Sequence, residues 1–204
     1  MGSALRCRKR GVGRASLNFA KLKTPMIEIE KKYRLTVDQR DRVLERLREA
    51  GAEDRGEEFE ENTIYGGGEL KRGTSVLRLR RVGSRALLTY KERFPHESPV
   101  KHQREEETTV DDAAAIGLIL DALGFKPLLV YEKRRRTWSL GPAEVVLDEL
   151  PFGWFMEIEG SEQEIDAAEQ ALGIQDLPAE HETYPQLTER LGERVGEVVE
   201  ARFR

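Results

Sequence analysis

Met26-Ile-Glu-Ile-Glu-Lys-Lys-Tyr-Arg-Leu35 is the stretch on which the reading of this chain turns. Side chains alternate across a β-strand with a period of two, so Glu28, Glu30 and Lys32 share one face and Ile27 and Ile29 the other. Two carboxylates and an ammonium side by side pack poorly, but they suit a divalent cation held against an anionic substrate. Working outward, later strands repeat the pattern, with charges on one face and apolar groups on the other. A sheet curved around its charged face is the expectation.

Downstream, Thr36-Val-Asp-Gln39 has the form of a capping box. Val37, Val43, Leu44 and Leu47 continue it as a helical stripe that stops at Gly51. Residues 57–65 read as a weak strand ending in the turn Gly66-Gly-Gly68, which lacks the spacing of a phosphate-binding loop. Residues 76–82 and 86–93 form a hairpin across Gly83-Ser84. The segment 94–100, with two prolines, is a loop. A strand over 102–110, a helix over 111–123 and strands over 128–140, 143–150 and 154–160 follow. Ser161-Glu-Gln-Glu164 is a second capping box and opens a helix that ends near Gly173. Leu187, Leu191, Val195 and Val198 predict a last helix from Pro185 to the C-terminus.

About eight strands joined by short turns, with a few helices, point to an α+β domain built on a closed barrel or strongly curved antiparallel sheet. One domain spanning 26–204 is expected. Residues 1–25 differ sharply from it, with seven basic residues (Arg6, Arg8, Lys9, Arg10, Arg14, Lys21, Lys23) and no acidic one. They read as a disordered tail or a mis-assigned start, with a basic arm or presequence as the alternative. Removing those seven from the 34 basic residues leaves 27 against all 38 acidic ones, a balance of −11 for the remainder. The single Cys7 excludes a disulfide framework and a zinc cluster, and no stretch approaches the roughly 20 apolar residues of a membrane span. A cytoplasmic protein that engages no membrane is the expectation.

Charges on sheet faces usually mark the solvent side. Here they are segregated by strand: Glu28/Glu30 and Glu157/Glu159 are acidic, Arg78/Arg80 and Lys133/Arg135 basic. The opposite faces carry enough Leu, Val and Ile to pack under amphipathic helices. The charged faces are therefore expected to point inward, with Lys91, Arg104, Glu106 and Asp148 on neighbouring strands. Lysine and arginine neutralise phosphoryl oxygens, arginine with two parallel bonds. Carboxylates hold Mg²⁺ or Mn²⁺, hard ions that prefer oxygen. Seven cations suit a triphosphate, and phosphoryl transfer needs positioning and charge stabilisation more than a covalent nucleophile.

The ordered set Glu28-Ile-Glu30-Lys-Lys32, Leu77-Arg-Leu-Arg80, Leu88-Thr-Tyr-Lys91, Arg104-Glu-Glu106, Lys133-Arg-Arg135, Asp148 and Phe155-Met-Glu-Ile-Glu159 resembles the CYTH superfamily of triphosphate tunnel metalloenzymes. Leu123-Gly-Phe125, the run from Tyr131 and Phe-x-Glu-Ile-Glu-Gly160 are most like its class IV adenylyl cyclase-like group. The resemblance implies a closed eight-stranded antiparallel barrel, a tunnel with a charged lumen and helices packed outside. It implies phosphate contacts from Lys32, Arg78, Arg80, Lys91, Lys133 and Arg135, with Arg104 and Glu106 ranked lower because a cross-strand ion pair explains them equally well. Glu28, Glu30, Asp148, Glu157 and Glu159 would hold one or two metal ions, and Lys32 would position the attacking water.

Two reactions fit. In the first, water hydrolyses tripolyphosphate, ATP or another organic triphosphate. In the second, a class IV adenylyl cyclase converts ATP to cyclic AMP and pyrophosphate. A polyphosphate- or nucleotide-binding module without turnover is the non-enzymatic alternative. The acidic folded region argues against nucleic-acid binding, an RNA 5′-triphosphate end excepted. The oligomeric state is open, a homodimer included.

Overall fold

The computed structural model describes residues 29–71, 73–93 and 103–204. Glu28, the basic segment 1–25 and the loop expected over 94–100 lie outside them. The chain runs in groups of strands separated by helices: β1 (Ile29–Leu35), α1 (Val37–Glu49), β2 (Glu53–Gly67), β3 (Ser75–Val82), β4 (Arg85–Arg93) and β5 (Gln103–Val110). Then come α2 (Ala113–Ala122), β6 (Phe125–Leu140), β7 (Ala143–Leu150), β8 (Gly153–Gly160), α3 (Glu162–Leu172), α4 (Tyr184–Leu191), β9 (Glu193–Val195) and β10 (Val198–Ala201).

Both expected capping boxes form. The Thr36 hydroxyl accepts from the Gln39 backbone N–H while the Gln39 side chain accepts from Thr36 N, and Ser161 and Glu164 do the same for α3. Each box satisfies two donors that the first turn would leave orphaned. α1 then buries Val43 and Leu47, worth about 1.5–3 kcal/mol for each side chain removed from water.

The sheet runs β1-β8-β7-β6-β2-β3-β4-β5 with antiparallel neighbours throughout. Its outer face is apolar. Tyr33, Leu35, Val145, Leu147, Met156 and Ile158 pack with Val43 and Leu47 of α1 and Ile165, Ala168 and Leu172 of α3. Leu77, Leu79 and Ala86 pack with Leu120 of α2. Trp138 belongs to the first of these clusters and Phe125 packs against the second.

Two expectations need correction. The barrel is not closed: among the described residues β1 and β5 are the ends of the sheet and do not pair. The free edge of β1 is met instead by the segment after α3. Ala179 bridges to Tyr33 there, and Glu180 N donates to Lys32 O at 2.7 Å. Those backbone groups are thereby satisfied without a strand from the far edge.

The helix expected to reach the C-terminus stops at Leu191. A Cβ on Gly192 would lie 2.6 Å from Thr188 O and 2.8 Å from Glu200 O, so two backbone segments converge where only glycine fits. The chain turns at Gly196, whose φ is +63°, and returns as β10, which pairs with β9 and lies parallel to β6. This tail seats α4 at one end of the inner face. There Tyr184 and Leu187 pack with Ile64, Tyr131, Leu150 and Phe155.

Candidate active site on the inner face

Register decides which side chains meet. Residues directly paired across antiparallel strands share a face. Glu30 pairs with Glu159, Lys32 with Glu157, Arg135 with Asp148, Lys133 with Glu60, Arg80 with Asn62, Arg78 with Thr89, and Lys91 with Glu105. Lys32, Arg78, Arg80, Lys91, Lys133 and Arg135 thus line one charged surface. The aliphatic residues alternating with them face the helices.

Arg104 and Glu106 do not join them. Glu106 pairs with Tyr90, whose ring packs with the cluster under α2, so both project from the outer face. They form a 3.2 Å ion pair there, with side chains 57% and 62% exposed. Their inner-face neighbours on β5 are Glu105 and Glu107. Lys91 Nζ lies 2.8 Å from Glu105. Thr89 Oγ1 donates to Glu107 at 2.8 Å and accepts from Arg78 at 3.4 Å.

The carboxylates fall into two groups. Glu30, Glu157 and Glu159 each offer an oxygen, all within 4.8 Å of one another. Burial, then repulsion from Glu144, Glu157 and Glu30, pushes the Glu159 carboxyl up to about 7, with Arg135 opposing. Such a crowded all-oxygen donor set fits a hard divalent cation. Lys32 borders it, with Nζ 3.4 Å from Glu157 and 4.2 Å above the Tyr184 ring.

Asp148 stands apart from this triad. It takes two bonds from Arg135, at 2.8 and 2.6 Å, one from Lys133 at 3.3 Å and one from the Tyr184 hydroxyl at 2.7 Å. Burial alone would raise its pKa, but Lys133, Arg135 and Tyr184 outweigh that and hold it well below the usual carboxylate range. Arg135 also reaches Glu157 at 2.6 Å and so joins the two groups.

Sequence reasoning missed Glu60 and Tyr184. Glu60 alternates with Glu58 and Asn62 along β2, a signal available in a segment read only as a weak strand. Tyr184 carried no signal beyond a helix start, because its role depends on α4 folding back against Asp148.

A family model described as the CYTH domain matches residues 26–184. The chain belongs to the CYTH family. That family comprises triphosphate tunnel enzymes. A Methanocaldococcus jannaschii protein provisionally named an adenylate cyclase is 27% identical over 151 residues, 72% of this chain and 84% of that one. A solved Pyrococcus horikoshii protein shares the CYTH fold at 25% identity and a TM-score of 0.63, over 77% of this chain and 96% of its own. A Hippeastrum protein, provisionally called an adenylyl cyclase and described as having a dominant triphosphatase activity, is 19% identical. Its TM-score is 0.62, covering 83% of this chain and 98% of that one, a likeness of fold. Among the described residues no helix is long and apolar enough to cross a membrane.

Proposed function

We propose that the protein is a divalent-metal-dependent phosphohydrolase acting on tripolyphosphate or an organic triphosphate. One observation carries this reading: a row of six cations on a single face, with a carboxylate triad at one end of it. The cations would hold a chain of phosphates whose charge no single basic residue can match. Lys133, Arg135 and Arg80, now paired with carboxylates, would turn donors toward phosphoryl oxygens, arginine with its planar fork. Mg²⁺ or Mn²⁺ held by Glu30, Glu157 and Glu159 would polarise a phosphoryl oxygen. Asp148, like Glu28 beyond the described residues, is a further candidate ligand by family resemblance. Lys32, wedged between Glu157 and the Tyr184 ring, would orient the water. The water oxygen would bond to the terminal phosphorus as the bridging P–O bond breaks, the bridging electron pair leaving with pyrophosphate or the organic diphosphate and the water's proton passing to bulk solvent.

Adenylyl cyclase activity is the second reading, favoured by the name of the archaeal relative. Hydrolysis is preferred because the inner-face aromatics are occupied. Phe155 and Tyr184 stack edge-on at 5.6 Å and Tyr131 sits 6.2 Å from Tyr184, all buried, which leaves none of the three open to an adenine. Phosphorus NMR of the full chain with Mg²⁺ or Mn²⁺, given tripolyphosphate and ATP separately, tests the choice. Orthophosphate and pyrophosphate from tripolyphosphate, without cyclic AMP from ATP, is the expected result. Cyclic AMP and pyrophosphate from ATP would replace hydrolase with cyclase. No turnover of either would overturn both.

A further inference from the structure

A second enclosed acid–base junction lies on the inner face beside Asp148 and apart from the carboxylate triad. It is Glu60, at 2% exposure, set among three cations. Its Oε2 lies 3.4 Å from Arg80 Nε and 3.4 Å from Lys133 Nζ, and its Oε1 lies 3.9 Å from Arg135 Nε. Asn62, fully buried on the same strand face, donates to Glu60 Oε2 at 3.2 Å and accepts from Arg80 Nε at 3.3 Å. β2 lies between β6 and β3 in the sheet, so Glu60 and Asn62 tie the two strands that carry these cations. The triad lies on β1 and β8 and does not include Glu60.

We infer that Glu60 is a positioning residue that fixes the relative placement of Arg80, Lys133 and Arg135, and thereby sets the length of phosphate chain the face prefers. The inference rests on the triphosphate reading above. Three like charges held together under a protein surface repel one another strongly, and a shared counter-charge restrains them at a defined spacing. Long side chains otherwise lose considerable rotamer freedom when they are ordered around a ligand. Glu60 meets that ordering in advance, and Asn62 aims its carboxylate. A preset array discriminates, since it matches one spacing of anionic groups better than a shorter one. A loose array attracts any anion. Removing the carboxylate increases the net positive charge, so affinity for short and long anions together is not the informative quantity. Their ratio is.

The test uses calorimetry on the full chain with Mg²⁺ present and two probes that cannot be hydrolysed, bis(methylene)triphosphonate and methylenediphosphonate. The wild type is expected to prefer the longer probe by about tenfold or more, and Glu60→Gln to compress that preference to about threefold or less. Asn62→Ala, which leaves the charge in place but unaims it, should compress it in the same direction by a smaller factor. If Glu60→Gln fails to fold by circular dichroism, the Asn62→Ala ratio decides. A purely structural role for Glu60 would shift both affinities by one factor and leave the ratio intact, and that result would overturn the inference while the triphosphate reading stands. A wild type with no preference for the longer probe would overturn both.

Discussion

The β1–β8 end of the inner face and its centre use the same residue types to opposite effect. At the β1–β8 end, Glu30, Glu157 and Glu159 crowd together with Glu144 nearby, and the Glu159 carboxyl is pushed up to about 7. Where β2, β3, β6 and β7 meet, Glu60 and Asp148 are more deeply buried, yet both are held below their ordinary range. For Glu60 as for Asp148, burial is the largest single influence and acts upward, but Lys133 and Arg135, joined by Arg80 at Glu60 and by Tyr184 at Asp148, outweigh it. Depth of burial therefore does not set the charge state here. Arrangement does: one region is internally neutralised, and the other is short of positive charge.

The most damaging way to break this contrast is to remove the acid that serves both regions. Glu157→Gln should lower turnover of tripolyphosphate by about 10²–10³-fold, on the scale of losing one strong transition-state contact, with steady-state kinetics as the check. An unchanged rate would detach the triad from the chemistry. Arg135→Ala strikes the neutralised region by leaving buried Asp148 and Glu157 without their shared partner. It should destabilise the fold by about 3–5 kcal/mol in denaturant titration.

A subtler probe is pH. Glu159 has a higher pKa folded than unfolded, so the folded state holds its proton over the interval from the ordinary glutamate value to about 7. Its contribution to stability is fully present below that interval, declines as pH rises through it and is lost above about 7. Thermal melts of metal-free protein should record a decline there, and saturating Mg²⁺ should flatten it, because the ion takes the place of the proton. No slope in the metal-free protein would mean that the triad is not crowded. The smallest effect is expected from Arg104→Ala, which should change KM and kcat by less than about twofold because the side chain projects from the outer face. A large loss of affinity would place β5 in the opposite register.

Much of this was readable in advance, for a definite reason. Strand alternation has a period of two, so Glu30 and Lys32, Arg78 and Arg80, Lys133 and Arg135, and Glu157 and Glu159 were each assigned to a shared face by spacing alone. The capping boxes at Thr36 and Ser161 were equally local. What escaped was non-local or ambiguous. Leu187, Leu191, Val195 and Val198 mimic a helical stripe, but Gly192 and Gly196 break it and the β-branched residues go into a hairpin. That β1 does not pair with β5 among the described residues could not be read, because the edge of β1 is covered by an irregular segment with no periodicity. Glu60 and Tyr184 acquire their roles only through partners on strands far along the chain. Arg104 shows the limit of alternation itself, which says that two residues share a face without saying which face turns inward.

The pairing of β1 with β8 has a bearing on how the protein is made. Glu30 emerges in synthesis before β2 through β7, Glu157 and Glu159 follow after them, and β10, which completes the middle of the sheet beside β6, comes later still. A nascent chain thus carries one of the three triad carboxylates, and a long apolar strand surface, while β2 through β7 are being made. The proposed cation site is complete only once β8 has paired with β1, so products shortened before Gly160 would lack it.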